Sequence, residues 1–117
     1  MVRLLFFMLF SVGLFAQECG TSIDNALDFK GEEITVCGVV TQVSIPNSFG
    51  DPTYLNFGGY FPNHKFTAVL WGRNKHNFKD DLKVYSGKKV TVTGVIQEYA
   101  GLGQIVLVYP DQIKLVE

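Results

Sequence analysis

The sequence predicts an all-β fold built as a five-stranded barrel, and three patterns support this prediction. Two long segments, EITVCGVVTQVS at residues 33–44 and GKKVTVTGVIQEY at residues 87–99, alternate in period two around a central glycine, as curved strands do. Between them, PTYLNFGGYFPNHKFTAVLWG at residues 52–72 places two β-branched and aromatic runs around a Gly-Gly and Pro-Asn centre, which is typical of a β-hairpin. The segment QIVLVYPDQIKLV at residues 104–116 supplies a last strand, interrupted at Pro110.

Two short helices complete the predicted order of elements. Thr21 and Asp24 form a capping-box pattern, and apolar residues follow at helical spacing until Gly31. Residues 73–86 are mostly polar, with apolar residues spaced four and three apart, which predicts a second short helix. The order helix, strand, two hairpin strands, helix, strand, strand matches the OB-fold, a partly open Greek-key barrel of five strands. A chain of 117 residues has room for one such core.

The first sixteen residues, MVRLLFFMLFSVGLFA, have the pattern of a cleaved secretory signal, because one Arg precedes an apolar run that ends in Ala16. The alternative is an uncleaved anchor, but the run from Leu4 to Ala16 is shorter than the roughly 20 residues that span a bilayer. We therefore expect a signal peptide at residues 1–16, a domain at residues 17–117 without a membrane span, and an exported product, periplasmic or secreted.

Cys19 and Cys37 are the only two cysteines, and in an oxidising compartment we expect them to form a disulfide. Such a bond would stabilise the domain by about 3 kcal/mol through loop-closure entropy. The alternative is two separate buried thiols. Two cysteines together with the distant His64 and His76 do not form a spaced ligand set, so no metal or other cofactor is predicted.

The charge is balanced overall but uneven along the chain. The formal net charge is −1, whereas residues 63–89 carry seven Lys or Arg residues against only Asp80 and Asp81. Such clustering can give a nearly neutral protein one positively charged side, suited to an anionic partner. The alternative is that these residues only keep that side of the molecule soluble.

Four phrases resemble a known group of proteins: SIDNALDFKGEEITVCGVV at residues 22–40, the hairpin phrase at residues 52–72, YSGKKVTVTGVIQEYAGLGQI at residues 85–105 and PDQI at residues 110–113. In these phrases, which cover most of the chain after residue 16, the sequence is similar to small OB-fold domains that occur alone in exported bacterial proteins or attached to secreted nucleases. The resemblance implies an OB-fold that binds nucleic acid. Because the sequence shows no nuclease catalytic domain, any link to nuclease activity would have to be through a partner nuclease.

The hairpin supplies the candidate binding face, because OB-fold barrels bind ligands across their second and third strands. Period two directs Leu55, Phe57, Phe66, Ala68 and Leu70 inward and the intervening residues outward, although a slip of one residue would reverse the two sets. Single-stranded nucleic acid needs flat rings for its bases and cations for its phosphates. The predicted nucleic-acid-binding residues are Tyr54, Asn56, Lys65, Thr67, Trp71, Arg73, Lys75 and Tyr99. The alternative for Trp71 and Phe61 is that they fill the ends of the barrel.

Catalysis is not predicted, because no nucleophile elbow, phosphate loop or metal motif is present and neither histidine has an acid or nucleophile beside it. We therefore expect a non-catalytic module that binds nucleic acid, with single strands favoured and little sequence preference. The second hypothesis is an interaction module of the cell envelope that uses the same face for an envelope protein, an oligosaccharide or a small molecule. The sequence predicts no particular oligomeric state.

Overall fold

The computed structural model of the protein describes residues 19–117, and the predicted signal peptide at residues 1–16 lies outside this range. The prediction of an all-β fold is confirmed. The described residues form eight strands and four short 3₁₀ helices. The strands are β1 (Thr21–Ser22), β2 (Glu33–Ser44), β3 (Thr53–Phe57), β4 (Phe66–Leu70), β5 (Lys89–Val95), β6 (Gln97–Tyr99), β7 (Leu102–Leu107) and β8 (Ile113–Leu115).

The strands form one open sheet in the order β6-β7-β4-β3-β2-β5-β8, with β1 pairing parallel to β2 beside this path. A partly open barrel of five strands was predicted, whereas the described residues form eight strands, and barrel closure is not observed. The three additional strands β1, β6 and β8 are only two or three residues long. β6 and β8 fall within the strand segments predicted at residues 87–99 and 104–116 and are separate strands after a break, whereas β1 is too short to show alternation.

β5 and β7 are not paired with each other, and the side chain of Gln112 bridges the gap between them. Its Nε2 donates hydrogen bonds to the carbonyl oxygens of Thr93 in β5 and Val106 in β7, at 3.0 and 3.1 Å. Its Oε1 accepts from the backbone N–H groups of Val108 and Tyr109 at 2.6 and 2.9 Å. One side chain thereby satisfies four backbone groups that no strand pairing reaches, which explains the PDQI phrase structurally.

Both predicted helices are 3₁₀ rather than α, and the second is divided. The first spans Ile23–Phe29, and its N-cap is Ser22, whose Oγ accepts a hydrogen bond from the Asp24 N–H at 3.2 Å. Thr21, the predicted cap, instead lies in β1 and pairs with Val36 of β2. Between β4 and β5 the chain forms two helices, Gly72–Asn77 and Leu82–Tyr85, the second capped by Asp81. Pro110–Gln112 is the fourth.

β2 changes partners along its length, pairing with β5 from Glu33 to Val39 and with β3 beyond that point. The register shifts between Val40 and Gln42, where one extra residue, Thr41, interrupts the pairing with β3. Such a bulge reverses the side-chain alternation beyond it. Val40 is therefore buried in the core while Gln42 lies on the opposite face of the sheet.

The core lies on the inner face of this curved sheet. The inward set predicted for the hairpin is confirmed, since every member belongs to the buried core cluster, whereas the intervening Asn56 and Val69 do not. β2, β5 and β7 add further fully buried side chains, and the first helix contributes Ala26. The predicted Cys19–Cys37 disulfide is also confirmed, with a Cα–Cα distance of 5.8 Å. Within residues 19–117, every helix is too short to cross a membrane.

Candidate ligand-binding groove

A row of four polar side chains crosses the outer face of the sheet. Gln42 of β2 is the register partner of Asn56 in β3, Asn56 of Thr67 in β4, and Thr67 of Gln104 in β7. We call these four residues the polar row. Asn56 and Thr67 are 3% and 6% exposed, although they lie on the face opposite the core. The row therefore forms the floor of a depression.

Hydrogen bonds lock three members of the polar row in place. Asn56 Nδ2 donates to Gln42 Oε1 at 2.8 Å, and Thr67 Oγ1 donates to Asn56 Oδ1 at 3.2 Å. Gln42 Oε1 also accepts the backbone N–H of Phe61 at 2.8 Å, which ties the β3–β4 loop to the row. Thr41 holds the same loop, because its hydroxyl donates to the Gly59 carbonyl at 2.6 Å.

Two exposed aromatic rings border this floor. Phe61 extends from the β3–β4 loop and Tyr99 from the hairpin of β6 and β7, and each is 70% exposed. The turn between β6 and β7 consists of Ala100 and Gly101, both at positive φ, as a two-residue hairpin of type I′ requires. The groove between these walls has a volume of about 550 Å³. Its remaining lining comes from Ser44, Tyr54, Pro62, His64, Ala100, Leu102 and Gly103.

His64 lies against Phe61, with ring centroids 5.7 Å apart and the planes tilted by 34°. Its Nδ1 is buried and has no hydrogen-bond partner among the described residues. Burial lowers the pKa of His64 below its ordinary value of 6.5, because the charged imidazolium would lose hydration there. The ring is therefore neutral at pH 7.

No Lys, Arg, Asp or Glu lines the described groove. Among the described residues the single ion pair joins Lys30 Nζ to Glu98 Oε1 at 3.0 Å, and it is exposed to solvent. An exposed pair of this kind contributes little stability, typically about 0–1 kcal/mol. The groove thus offers aromatic rings and neutral hydrogen-bonding groups to a ligand, and it offers no formal charge.

Half of the predicted site residues meet in this groove. Tyr54, Asn56, Thr67 and Tyr99 line it together. The other four lie outside it. Lys65 borders a separate hollow with Ile23 and Asp24.

The remaining three predicted residues, Trp71, Arg73 and Lys75, lie just after β4. Arg73 pairs with Trp71, and Lys75 pairs with Phe49. The Arg73 guanidinium lies 5.8 Å from the Trp71 ring centroid. Lys75 Nζ lies 3.2 Å from the Phe49 carbonyl oxygen and 5.3 Å from its ring centroid. The predicted cations therefore do not share one site with the predicted rings.

Nine lining residues were absent from the predicted set: Gln42, Ser44, Phe61, Pro62, His64, Ala100, Leu102, Gly103 and Gln104. Gln104 follows the simple alternation of β7, so period two alone could have placed it outward. Gln42 follows the bulge at Thr41, and unbroken alternation would have directed it inward with Val40. Phe61 and His64 lie in a loop, where no periodicity applies.

No cluster of three or more His, Cys, Asp or Glu residues suited to a metal ion occurs within residues 19–117. No protein-family model matches the chain, and no curated protein has a significantly similar sequence.

Solved structures show the same fold at low sequence identity. One is an OBody, AM1L10, bound to hen egg-white lysozyme, which is 17% identical with a TM-score of 0.52 over 77% of this chain and 84% of its own. Another is the aspartyl tRNA synthetase from Entamoeba histolytica, 12% identical with a TM-score of 0.57. That match covers 89% of this chain and 22% of the synthetase.

Proposed function

We propose that this protein is an exported, non-catalytic OB-fold module that binds single-stranded nucleic acid in the groove across β3 and β4. The observation that carries this proposal is the groove itself, in which exposed rings of Phe61 and Tyr99 border the polar row. Its volume of about 550 Å³ falls within the usual range for ligand sites.

The chemistry of the groove suits nucleobases. Each base has a flat face that stacks on an aromatic ring and an edge that makes neutral hydrogen bonds. The two aromatic walls supply the rings, and the amide and hydroxyl groups of the polar row lie between them. Phosphates of a strand that runs beyond the groove would contact Lys65 on one side and Lys75 and Arg73 around the far end of the hairpin.

Two further features support the proposals that the fold is an OB-fold and that the protein is exported. β2, β3, β4, β5 and β7 have the pairing of an OB-fold, in which the first strand pairs with the second and fourth and the third lies parallel to the fifth. Gln112 bridges the remaining gap. The disulfide supports export, because such bonds persist in oxidising compartments.

Replacing Tyr99 tests the proposed site. Tyr99→Ala should weaken the binding of a labelled 12-nucleotide single strand by roughly tenfold, because stacking contributes about 1–3 kcal/mol per base. Fluorescence anisotropy at 50 mM salt measures the affinity. Tyr109→Ala is the matched control, since Tyr109 is 59% exposed and lies outside the groove. Equal affinities of the Tyr99 variant and the parent would refute the site.

A second function has its own supporting observation, which is the lack of charged side chains in the described groove. A neutral groove with aromatic walls also suits an uncharged oligosaccharide or an extended segment of an envelope protein. Salt separates the two functions. Oligonucleotide binding should weaken from 50 to 200 mM salt, whereas binding of neutral glucan or N-acetylglucosamine oligomers should not. Salt-independent binding of such an oligomer, with no binding of the nucleic acid at 50 mM salt, would favour the second function.

A further inference from the structure

One backbone N–H group determines how the amides of the polar row are oriented. The Phe61 N–H can only donate, so the Gln42 atom that it contacts at 2.8 Å must be the amide oxygen. The Asn56 atom facing the same oxygen at 2.8 Å must then be its NH₂ group. Asn56 Oδ1 is left to accept from Thr67 Oγ1. The orientation of both amides thus follows from the chain itself.

This network uses the acceptor capacity of Gln42 and leaves its donors free. A carboxamide oxygen has two lone pairs, and Oε1 already accepts two hydrogen bonds. Gln42 Nε2 has no partner among the described residues and belongs to a side chain that lines the groove. Gln42 is therefore held with its NH₂ group available to a ligand and its oxygen unavailable.

His64 adds a second donor to the same groove. Its Nδ1 is buried without a partner among the described residues, and an orphaned N–H is rarer in proteins than an orphaned acceptor. We therefore assign the proton of the neutral ring to Nε2. Gln42 and His64 both line the groove, so two of its neutral polar groups are oriented as donors.

We infer that this groove selects bases by their carbonyl oxygens, with the Gln42 NH₂ group as the specificity-determining donor. The inference rests on the proposed function and names the chemical class of base that the site prefers. Thymine, uracil, guanine and hypoxanthine present exocyclic carbonyl oxygens that accept from Gln42. Adenine has no exocyclic carbonyl oxygen, and at position 6 its amino group places a donor against the Gln42 NH₂ group, so only its ring nitrogens can accept.

Hypoxanthine and adenine provide the sharpest comparison, because both are purines and differ only in the carbonyl oxygen or amino group at position 6 and in the proton that hypoxanthine carries on the adjacent N1. We expect short deoxyinosine strands to bind the parent protein about 3- to 10-fold more tightly than deoxyadenosine strands of equal length, the range of one neutral hydrogen bond. Anisotropy of labelled strands measures both affinities. Using two purines keeps the area of the stacked ring the same.

Gln42→Glu tests the assigned residue. A carboxylate keeps oxygens for the Phe61 N–H and Asn56 Nδ2 but presents an acceptor to the ligand in place of the NH₂ group. The preference for inosine should therefore disappear or reverse. Gln104→Glu is the matched control, because it adds the same charge to the same groove at an amide with no hydrogen bond among the described residues. This control should weaken the binding of both strands alike and leave the ratio of their affinities unchanged.

The possible results are distinguishable. Equal binding of the two strands by the parent would overturn the inference and leave the proposed function standing. The role of Gln42 would also be overturned if Gln42→Glu kept the parent's ratio of deoxyinosine to deoxyadenosine affinity. It would be overturned as well if Gln104→Glu lost the preference for deoxyinosine as fully as Gln42→Glu does. If the parent binds neither strand, the proposed function fails and the inference fails with it. Should Gln42→Glu not fold, Gln42→Met removes the donor without adding charge, and its ratio should fall to about one.

Discussion

At the residue scale, His64 occupies an unusual position, because one ring nitrogen is buried while the side chain as a whole borders the groove. It packs against the exposed Phe61, and the buried Nδ1 has no acceptor among the described residues. Protonation would place an unsatisfied N–H there and would also add charge to a neutral site. Burial, which strips hydration from the charged imidazolium, is what lowers the pKa of His64.

The pH dependence of stability follows from that lowered pKa. The unfolded chain takes up the His64 proton near the ordinary pKa of 6.5, whereas the folded protein takes it up only at lower pH. Between these two values the unfolded state binds more protons, so the free energy of unfolding rises with pH and falls on acidification. Urea denaturation at pH 7.5 and 5.0 should show a larger loss of stability in the parent than in His64→Gln. His76→Gln, at an exposed position, should behave like the parent. Identical losses in the parent and His64→Gln would contradict this assignment.

At the element scale, the backbone of Gly50 in the loop after β2 lies in close contact with Gly72, which follows β4. Gly72 begins a 3₁₀ helix and is buried. A Cβ added there would lie 2.6 Å from the Gly50 carbonyl carbon and 2.7 Å from its Cα. These are backbone atoms that cannot rotate away. The contact positions the loop that carries Phe49 against the helix that carries Lys75.

Gly72→Ala should therefore lower the free energy of unfolding by about 1–3 kcal/mol, the usual effect of overpacking. Gly50→Ala is the control on the other side of the same contact, because its Cβ would point into open space. We expect that control to remain within about 0.5 kcal/mol of the parent. Urea unfolding followed by the fluorescence of Trp71, the only Trp, measures both. Equal stabilities of the two variants would show that the contact does not constrain the fold.

The elements also show how far sequence patterns reach. Period two correctly predicted the inward face of β3 and β4, because each alternate residue of those strands packs into one core. The same rule failed at Gln42, because the bulge at Thr41 is created by pairing with β3 and by hydrogen bonds to the Gly58–Gly59 turn. The short strands β1 and β8 likewise depend on partners that are distant in sequence, whereas β6 pairs with the adjacent β7.

At the scale of the whole molecule, the disulfide joins Cys19, the first described residue, to β2 across 18 positions. It closes a loop that contains β1 and the first helix, whose Ala26 reaches the core. The covalent link therefore keeps the helix against the sheet even though β1 contributes only two residues of pairing.

Replacing both cysteines by alanine should lower the free energy of unfolding by about 3 kcal/mol, because the unfolded chain regains the entropy of an open loop. Thermal or urea unfolding of the parent, with and without a reductant, provides the comparison. The reductant should destabilise the parent by a similar amount and leave the double variant unchanged. A double variant as stable as the oxidised parent would exclude a stabilising role for the bond.

The sequence alone determined the five longer strand segments, the inward face of the hairpin and the cysteine pair that is bonded, because alternation and cysteine number are local or compositional properties. Tertiary structure decided which polar residues meet. Gln42, Asn56, Thr67 and Gln104 come from four strands and share a row only through strand register. It also separated Lys65, Arg73 and Lys75 from the groove, because loops and helix turns direct those side chains elsewhere. Contacts between residues distant in sequence created the site, and no local pattern encodes them.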